Sequence, residues 1–137
     1  MTKQSHFRAG ASLAPAERGQ DLVEFALTFP VLFMLLMGIL DMGRATFYNS
    51  VLYNAAREGA RYASIYPSDD VGIQDTVKAK AVGLDLNTLT IVTSMPDGDN
   101  IRVALTYQFA PITPVVASAF GASEVTVSNQ ATMRIED

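Results

Sequence analysis

A long apolar run near the N-terminus dominates the hydrophobic pattern. Glu24 is the only charged residue among the 19 residues from Leu22 to Leu40. A helix of that length spans about 28 Å at 1.5 Å per residue, close to the hydrocarbon thickness of a bilayer. The uninterrupted part, Phe25 to Leu40, is also short enough for a signal peptide, but no A-x-A cleavage pattern follows it. The pattern therefore favours a retained membrane-spanning helix.

The helical pattern continues after the apolar run. Spacings of four and three recur along one face, formed by Tyr48, Leu52, Ala55, Gly59, Tyr62 and Tyr66. Polar residues keep the same rhythm on the other side, namely Ser50, Asn54, Arg57, Arg61 and Ser64. Because Pro67 is the next proline, we predict one helix from about Asp21 to about Tyr66, with a membrane half and an amphipathic half. Ala55, Gly59 and Tyr62 of this face are its predicted packing residues, and the small side chains at Ala55 and Gly59 allow a close approach.

Three residues within the apolar helix need an explanation. Pro30 removes a backbone hydrogen bond and predicts a kink, which is either a harmless bend or a packing hinge. Asp21 lies in the first turn, where the helix dipole favours an acid. Glu24 lies one turn deeper, where a carboxylate in lipid is costly. It either leans out to the membrane interface or meets a partner, and the sequence leaves both interpretations open.

The remaining chain predicts a small antiparallel sheet preceded by a short helix. Apolar and polar residues alternate in the two longer predicted strands, and the Asp97-Gly98 pair is typical of a tight turn. One face of such a sheet needs a cover, which the amphipathic half of the long helix can supply. The predicted fold class is α+β, a long N-terminal helix packed on three antiparallel strands. The predicted segments are a helix over Val71–Gly83, strands over Thr88–Met95, Ile101–Phe109 and Glu124–Ile135, and a helical turn near Val115–Phe120.

The charge distribution divides the chain into three parts. Residues 1–19 carry net charge +2 and no periodicity, so we expect an irregular, cytoplasmic leader. Residues 20–66 form the transmembrane and exit helix. Residues 67–137 carry net charge −5 and form the expected extracytoplasmic α+β domain. An acidic outer domain without a basic stripe argues against nucleic-acid binding.

The residues that carry common chemistry are few. The chain has no cysteine, and its one histidine, His6, lies in the leader, where a solvated side chain is expected. Asp97 begins a stretch that looks like a calcium loop, but its twelfth position is Gln108 rather than a glutamate, so a hairpin turn is expected instead. No nucleophile–base pair or phosphate-binding glycine loop is present. We therefore expect neither an enzyme nor a cofactor or metal site.

Three blocks together resemble the TadE-like family of the tight-adherence (Tad) pilus systems. They are Arg18-Gly19-Gln20-Asp21-Leu22-Val23-Glu24-Phe25-Ala26-Leu27 with Pro30 after it, Asp41-Met42-Gly43-Arg44, and Asn54-Ala55-Ala56-Arg57-Glu58-Gly59-Ala60-Arg61-Tyr62-Ala63. The resemblance covers about residues 18–63. It implies a pilin-like fold and a minor pseudopilin, anchored in the plasma membrane as a single-pass protein, that assists assembly of a thin pilus.

The resemblance also implies how the N-terminal residues are used. A prepilin peptidase is expected to cut between Gly19 and Gln20, which makes Glu24 the fifth residue of the mature chain, where pilins keep a glutamate. The new α-amino group on a neighbouring pilin or pseudopilin would then neutralise Glu24 within the bilayer. The alternative is an uncleaved single-pass membrane protein whose outer domain is a binding module.

Overall fold

The structure confirms an α+β fold in which a long N-terminal helix precedes a three-stranded antiparallel sheet. It is a computed structural model that describes residues 15–113, 117–118, 121 and 123–136. The chain forms two compact units, one up to Leu35 and the other from Leu36 onward. The elements in chain order are α1 (Pro15–Ile65), α2 (Asp70–Lys80), β1 (Leu89–Ser94), β2 (Asn100–Phe109) and β3 (Val125–Arg134).

In the first unit, α1 begins earlier than the sequence predicted. Helix is present from Pro15, so the expectation of an irregular leader was wrong for residues 15–19, while residues 1–14 lie outside the described part. Proline is well suited to a first helical position, because its fixed φ fits the helix and its missing N–H would have no helical acceptor there. The helix also continues through Pro30 without ending. The predicted kink at that residue stays a prediction.

The second unit contains the sheet, whose strand order is β1-β2-β3 with both pairs antiparallel. The Asp-Gly turn joins β1 to β2, and Gly98 has a φ of +77°, a conformation that side chains with a Cβ rarely adopt. The predicted alternation of β2 is confirmed. Its inward face is buried throughout, and consists of Ile101, Val103, Leu105, Tyr107 and Phe109.

The outer part of α1 supplies the other side of the core. The fully buried residues of this part include Leu52, Ala55, Ala56, Ala60 and Ala63. The two last alanines and Ala56 were missed because the sequence predicted a single stripe, whereas the helix is covered by both the sheet and α2. Val77 of α2 and Val103 of β2 both lie beside Gly59. Two covering elements widen the buried face of a helix beyond one stripe.

Two residues differ in burial from the prediction. Tyr66 keeps the face of Tyr62, since its backbone N–H donates to the Tyr62 carbonyl oxygen at 3.0 Å and the two ring centroids are 5.2 Å apart, but it lies past the end of α1 and is 55% exposed. Ser64 is buried instead, and its hydroxyl donates to the Arg61 carbonyl oxygen at 2.8 Å. A buried hydroxyl with a partner carries little penalty, so polarity alone misplaced this residue.

The other predicted segments differ little from the observed ones. The helix expected over Val71–Gly83 ends at Lys80, and Gly83 takes a φ of +81° in the turn that follows. Of the helical turn expected near Val115–Phe120, Ala117 and Ser118 are helical and the rest lies outside the described residues.

Asn129 interrupts the otherwise apolar inner face of β3. Its side-chain amide donates to the side-chain oxygen of Asn49 at 3.1 Å, which ties β3 to α1. The pair explains why a polar residue is tolerated at this position.

Candidate functional site

The expected processing residues lie on an open part of α1. Gly19 and Gln20 are both exposed, and a Cβ added to Gly19 would meet no atom within 4 Å. Glycine within a helix costs about 1 kcal/mol relative to alanine, so a glycine that no neighbouring atom requires destabilises the helix. No packing contact among the described residues explains the glycine at this position.

Glu24 lies on the same open stretch. It is exposed, and no hydrogen bond or ion pair of this carboxylate is found within the described part of the chain. Its neighbours in sequence are apolar and exposed, with Val23 at 61% and Phe25 at 62%. Within the first unit the carboxylate therefore lacks the partner that burial in a membrane would require.

A ladder of aromatic rings follows Glu24 along α1. The ring centroids of Phe25 and Phe29 are 5.4 Å apart, and those of Phe29 and Phe33 are 6.0 Å apart. Residues four apart share one helix face, so the three rings form a continuous aromatic surface. The sequence analysis did not single out this surface, although its four-residue spacing is visible in the sequence.

The expected packing residues lie at the junction of α1, α2 and the sheet. Ala55 is fully buried. A Cβ added to Gly59 would lie 2.5 Å from Val77 Cγ2 and 3.4 Å from Val103 Cγ1, so the neighbouring side chains occupy the space that a larger residue needs. At this position the glycine is required by the packing.

Tyr62 connects the end of α1 to the start of α2. Its hydroxyl donates to Asp69 Oδ2 at 2.7 Å, while Asp69 Oδ1 accepts from the Gly72 backbone N–H at 3.0 Å and so caps α2. The Tyr62 hydrogen bond, together with the capping bond, lowers the pKa of Asp69. The same bond raises the pKa of the Tyr62 phenol. Tyr62 thus orients the helix cap.

The most densely bonded polar group in the described structure is Asp41, the first residue after the apolar run. It is 3% exposed and lies in the second unit. Asp41 Oδ1 accepts from the Ile112 backbone N–H at 2.9 Å, and Oδ2 accepts from the Thr113 backbone N–H at 2.8 Å and from the Thr113 hydroxyl at 2.7 Å. Arg44 Nη1 lies 3.3 Å from Oδ1. We refer to Asp41, Arg44, Ile112 and Thr113 as the Asp41 clamp.

Arg44 extends the clamp to the aromatic core. Its Nη1 donates to the Ala110 carbonyl oxygen at 3.4 Å, and its Nη2 donates to the Tyr48 hydroxyl at 3.2 Å. The guanidinium carbon also lies 5.7 Å from the Tyr48 ring centroid and 5.5 Å from that of Phe109, distances at which a cation is attracted to an aromatic face. The segment that follows β2 is therefore held against α1 by two residues about one helical turn apart, Asp41 and Arg44.

The clamp keeps Asp41 ionised. Burial by itself raises the pKa of this carboxyl, but the backbone N–H of Ile112 and the hydroxyl and N–H of Thr113 outweigh it, and Arg44 adds to their effect. The net result is a pKa below the usual value. The carboxylate thus serves as a fixed acceptor for two backbone amides.

In the sequence, Asp41 and Arg44 stand out only as part of a motif, and their contacts were not predicted. Their spacing of three, directly after an apolar run, was the one available signal. The main donors are backbone groups about 70 residues further along the chain, at Ile112 and Thr113. A pattern of side chains does not predict which backbone groups meet the carboxylate.

No group of three or more histidine, cysteine, aspartate or glutamate side chains suited to a metal ion occurs among the described residues. Asp97, Gly98 and Asp99 lie in the β1–β2 turn, as expected, and Asn100 at the start of β2 donates from Nδ2 to Asp97 Oδ2 at 3.4 Å. That the chain is not an enzyme remains an expectation from its sequence.

Comparison with known proteins places the candidate segment in a family context. The family model described as TadE-like protein matches residues 19–61, about a third of the chain. The match begins at Gly19, and includes Glu24, the Asp41-Arg44 pair and Gly59. It confirms the resemblance expected from the three sequence blocks over this segment. No curated protein and no solved structure matches the chain.

Proposed function

We propose that this chain is a membrane-anchored minor pseudopilin that assists assembly of a Tad-type pilus. The observation that carries the proposal is the condition of Gly19 and Glu24 within the TadE-like segment. Both lie on an open stretch of α1, Glu24 within the apolar run and Gly19 just before it, and no contact within the described structure explains either residue. Residues that the fold does not require are candidates for contacts with other molecules.

Membrane anchoring is supported by the composition and exposure of α1. The described residues contain one helix that is long and apolar enough to cross a bilayer, and its most apolar window has no buried residue. An apolar surface of this extent calls for lipid or a partner. The basic leader favours a single pass with the N-terminus in the cytoplasm and the C-terminal domain outside the plasma membrane.

The proposed processing step is peptide-bond hydrolysis between Gly19 and Gln20 by a prepilin peptidase. Its test replaces Gly19 with valine and, as a matched control, Gly38 with valine, since a Cβ at either glycine meets no neighbour. We expect Gly19→Val to block removal of the leader in the native host and Gly38→Val to leave it unchanged. Normal processing of Gly19→Val would contradict the assignment of this bond.

The proposed docking step uses the amine that the cut creates. An ammonium at Gln20 of one subunit would lie against Glu24 of its neighbour, and would relieve the cost of a carboxylate in lipid. Other pilins or pseudopilins are the expected partners.

Substitution of Glu24 by glutamine tests the docking step. We expect Glu24→Gln to reach normal levels but to lose co-purification with pilins and piliation. The control is Asp21→Asn, about one turn earlier, which leaves the Glu24 carboxylate in place and should retain both. Piliation and co-purification with pilins by Glu24→Gln at normal protein levels would contradict the proposed contact between the Gln20 ammonium and Glu24.

The alternative is an uncleaved single-pass membrane protein whose outer domain binds a partner or surface. A leader that stays attached to the native protein would favour this alternative. A mature chain that starts beyond Leu40 would indicate secretion instead.

A further inference from the structure

Four exposed apolar side chains lie close to the outer end of the apolar run. Met42 is 73% exposed, Val82 71%, Ile112 61% and Phe47 52%. They come from α1, from the turn after α2 and from the segment after β2, and all belong to the second unit. Three separate segments of the second unit thus present exposed apolar side chains.

The Asp41 clamp fixes the position of Ile112 along α1. The Ile112 backbone N–H is bonded to Asp41 Oδ1, and the Ala110 carbonyl oxygen is bonded to Arg44 Nη1. Residues 110–113 therefore cross α1 at the level of residues 41–44. The backbone of Ile112 is held by a buried carboxylate while its own side chain remains exposed.

Phe47 and Val82 lie slightly further along α1. A Cβ added to Gly83 would lie 3.4 Å from Phe47 Cε1, so the turn that carries Val82 lies beside this ring. Side chains on a helix lean toward its N-terminus, so the Phe47 ring is directed back toward the apolar run. The two residues form the outer edge of the same apolar region.

These positions match the thickness of a headgroup layer. A bilayer measures about 30 Å across its hydrocarbon and about 40–45 Å with its headgroups, which leaves roughly 5–7 Å for each layer. At 1.5 Å per residue, that layer covers about the first four or five residues after Leu40. Met42 and Ile112 fall within it. Phe47, seven residues and about 10 Å beyond Leu40, begins outside it with its ring directed back toward the layer, and Val82 lies in the turn beside that ring.

We propose that Met42, Phe47, Val82 and Ile112 form a membrane-surface collar that seats the second unit on the lipid headgroup layer. Ile112 is the second point of apolar insertion beside α1. The inference rests on the membrane anchoring in the proposed function. Lipid is the occupant because the collar is continuous with the exposed apolar residues Leu36, Ile39 and Leu40 of the same unit. Exposed Lys80, two residues before Val82, suits the phosphates of such a layer.

The absence of cysteine allows the collar to be tested by single labels. Full-length protein in vesicles of phosphatidylcholine and phosphatidylglycerol would carry one spin label at Ile112→Cys or Met42→Cys. Leu32→Cys marks the apolar run. Val92→Cys, on the outward face of β1 and 53% exposed, is the matched surface control. The collision rate of a label with dissolved oxygen reports its exposure to lipid, and the collision rate with a water-soluble nickel chelate reports its exposure to water.

We expect the labels at Ile112 and Met42 to show an oxygen-to-nickel ratio severalfold above that at Val92 and below that at Leu32. If the label at Ile112 has the same oxygen-to-nickel ratio as the label at Val92 while the label at Leu32 lies in lipid, the collar is overturned and the membrane anchor is retained. A label at Leu32 that matches Val92 overturns both. Shielding of Ile112 from both reagents would mean that a protein surface covers it, and would also overturn the lipid assignment.

Discussion

The inner and outer stretches of α1 contrast in how their unusual residues are explained. In the outer stretch, from Leu36, Gly59 is required by Val77 and Val103, and Asp41 is satisfied by Ile112 and Thr113. In the inner stretch, up to Leu35, Gly19 has open space around it and Glu24 has no described partner. One helix therefore carries a glycine and a carboxylate that its own fold explains, and a glycine and a carboxylate that it does not.

The contrast separates residues that serve the fold from residues that serve other molecules. A buried carboxylate without partners would destabilise the second unit, and its dense bonding marks Asp41 as structural. Glu24 lacks a described partner and Gly19 lacks a packing contact, and an interaction with another molecule would explain both. Substitutions matched across the two stretches test this division.

Removal of the Asp41 carboxylate should have the largest effect on stability. Asp41→Ala leaves the Ile112 and Thr113 amides and the Arg44 guanidinium without their acceptor. We expect a loss of about 3 kcal/mol in the free energy of unfolding of the second unit. Denaturant unfolding of the detergent-solubilised full chain, followed by circular dichroism, measures it. Glu24→Ala should change the same quantity by less than about 0.5 kcal/mol. Equal losses for the two carboxylates would remove the basis of the contrast.

The two glycines should also differ, by a smaller amount. In Gly59→Leu, the added side chain meets Val77 and Val103 and must displace them. We expect a loss of about 2 kcal/mol in the free energy of unfolding, typical of overpacking. Gly43→Leu, where a Cβ meets no neighbour, serves as the control within the same unit and should be nearly neutral. Tolerance of leucine at Gly59 would contradict the close approach of α2.

Lowering the pH should produce a weaker effect through Asp41. Its pKa is lower in the folded protein than in the unfolded chain, so the folded state gains stability above the unfolded value of about 3.9. That gain is lost as the pH falls through the folded pKa. We expect the stability difference between the natural chain and Asp41→Asn to stay constant above about pH 5 and to shrink as the pH falls below the unfolded value. A difference that grows on acidification would give the pKa shift the wrong sign. Because both chains contain Asp69, its lowered pKa cancels in the comparison.

The parts of this fold that were predictable depend on local periodicity. The alternation of β2 between Ile101 and Phe109 and the Asp97-Gly98 turn predict the hairpin, because neighbouring residues determine which face of a strand is buried. The long helix followed from its apolar run and from the next proline after Pro30. Its burial pattern was only partly predictable, since the second covering element, α2, buried alanines that a single stripe does not include.

The Asp41 clamp was beyond the reach of sequence patterns for a different reason. Its donors are the amides of Ile112 and Thr113, and every residue other than proline has such an amide. Only the folded chain shows which of them meet a carboxylate. Conversely, Glu24 was singled out as a costly carboxylate within an apolar run, and Gly19 through the resemblance to the TadE-like family.

The N-terminal mass of the native protein tests most directly whether the inner stretch of α1 serves other molecules. Mass spectrometry on protein isolated from its own membranes would identify the first residue of the mature chain. The account predicts a chain that starts at Gln20, four residues before Glu24. A native chain that still carries the residues before Gln20 would contradict it.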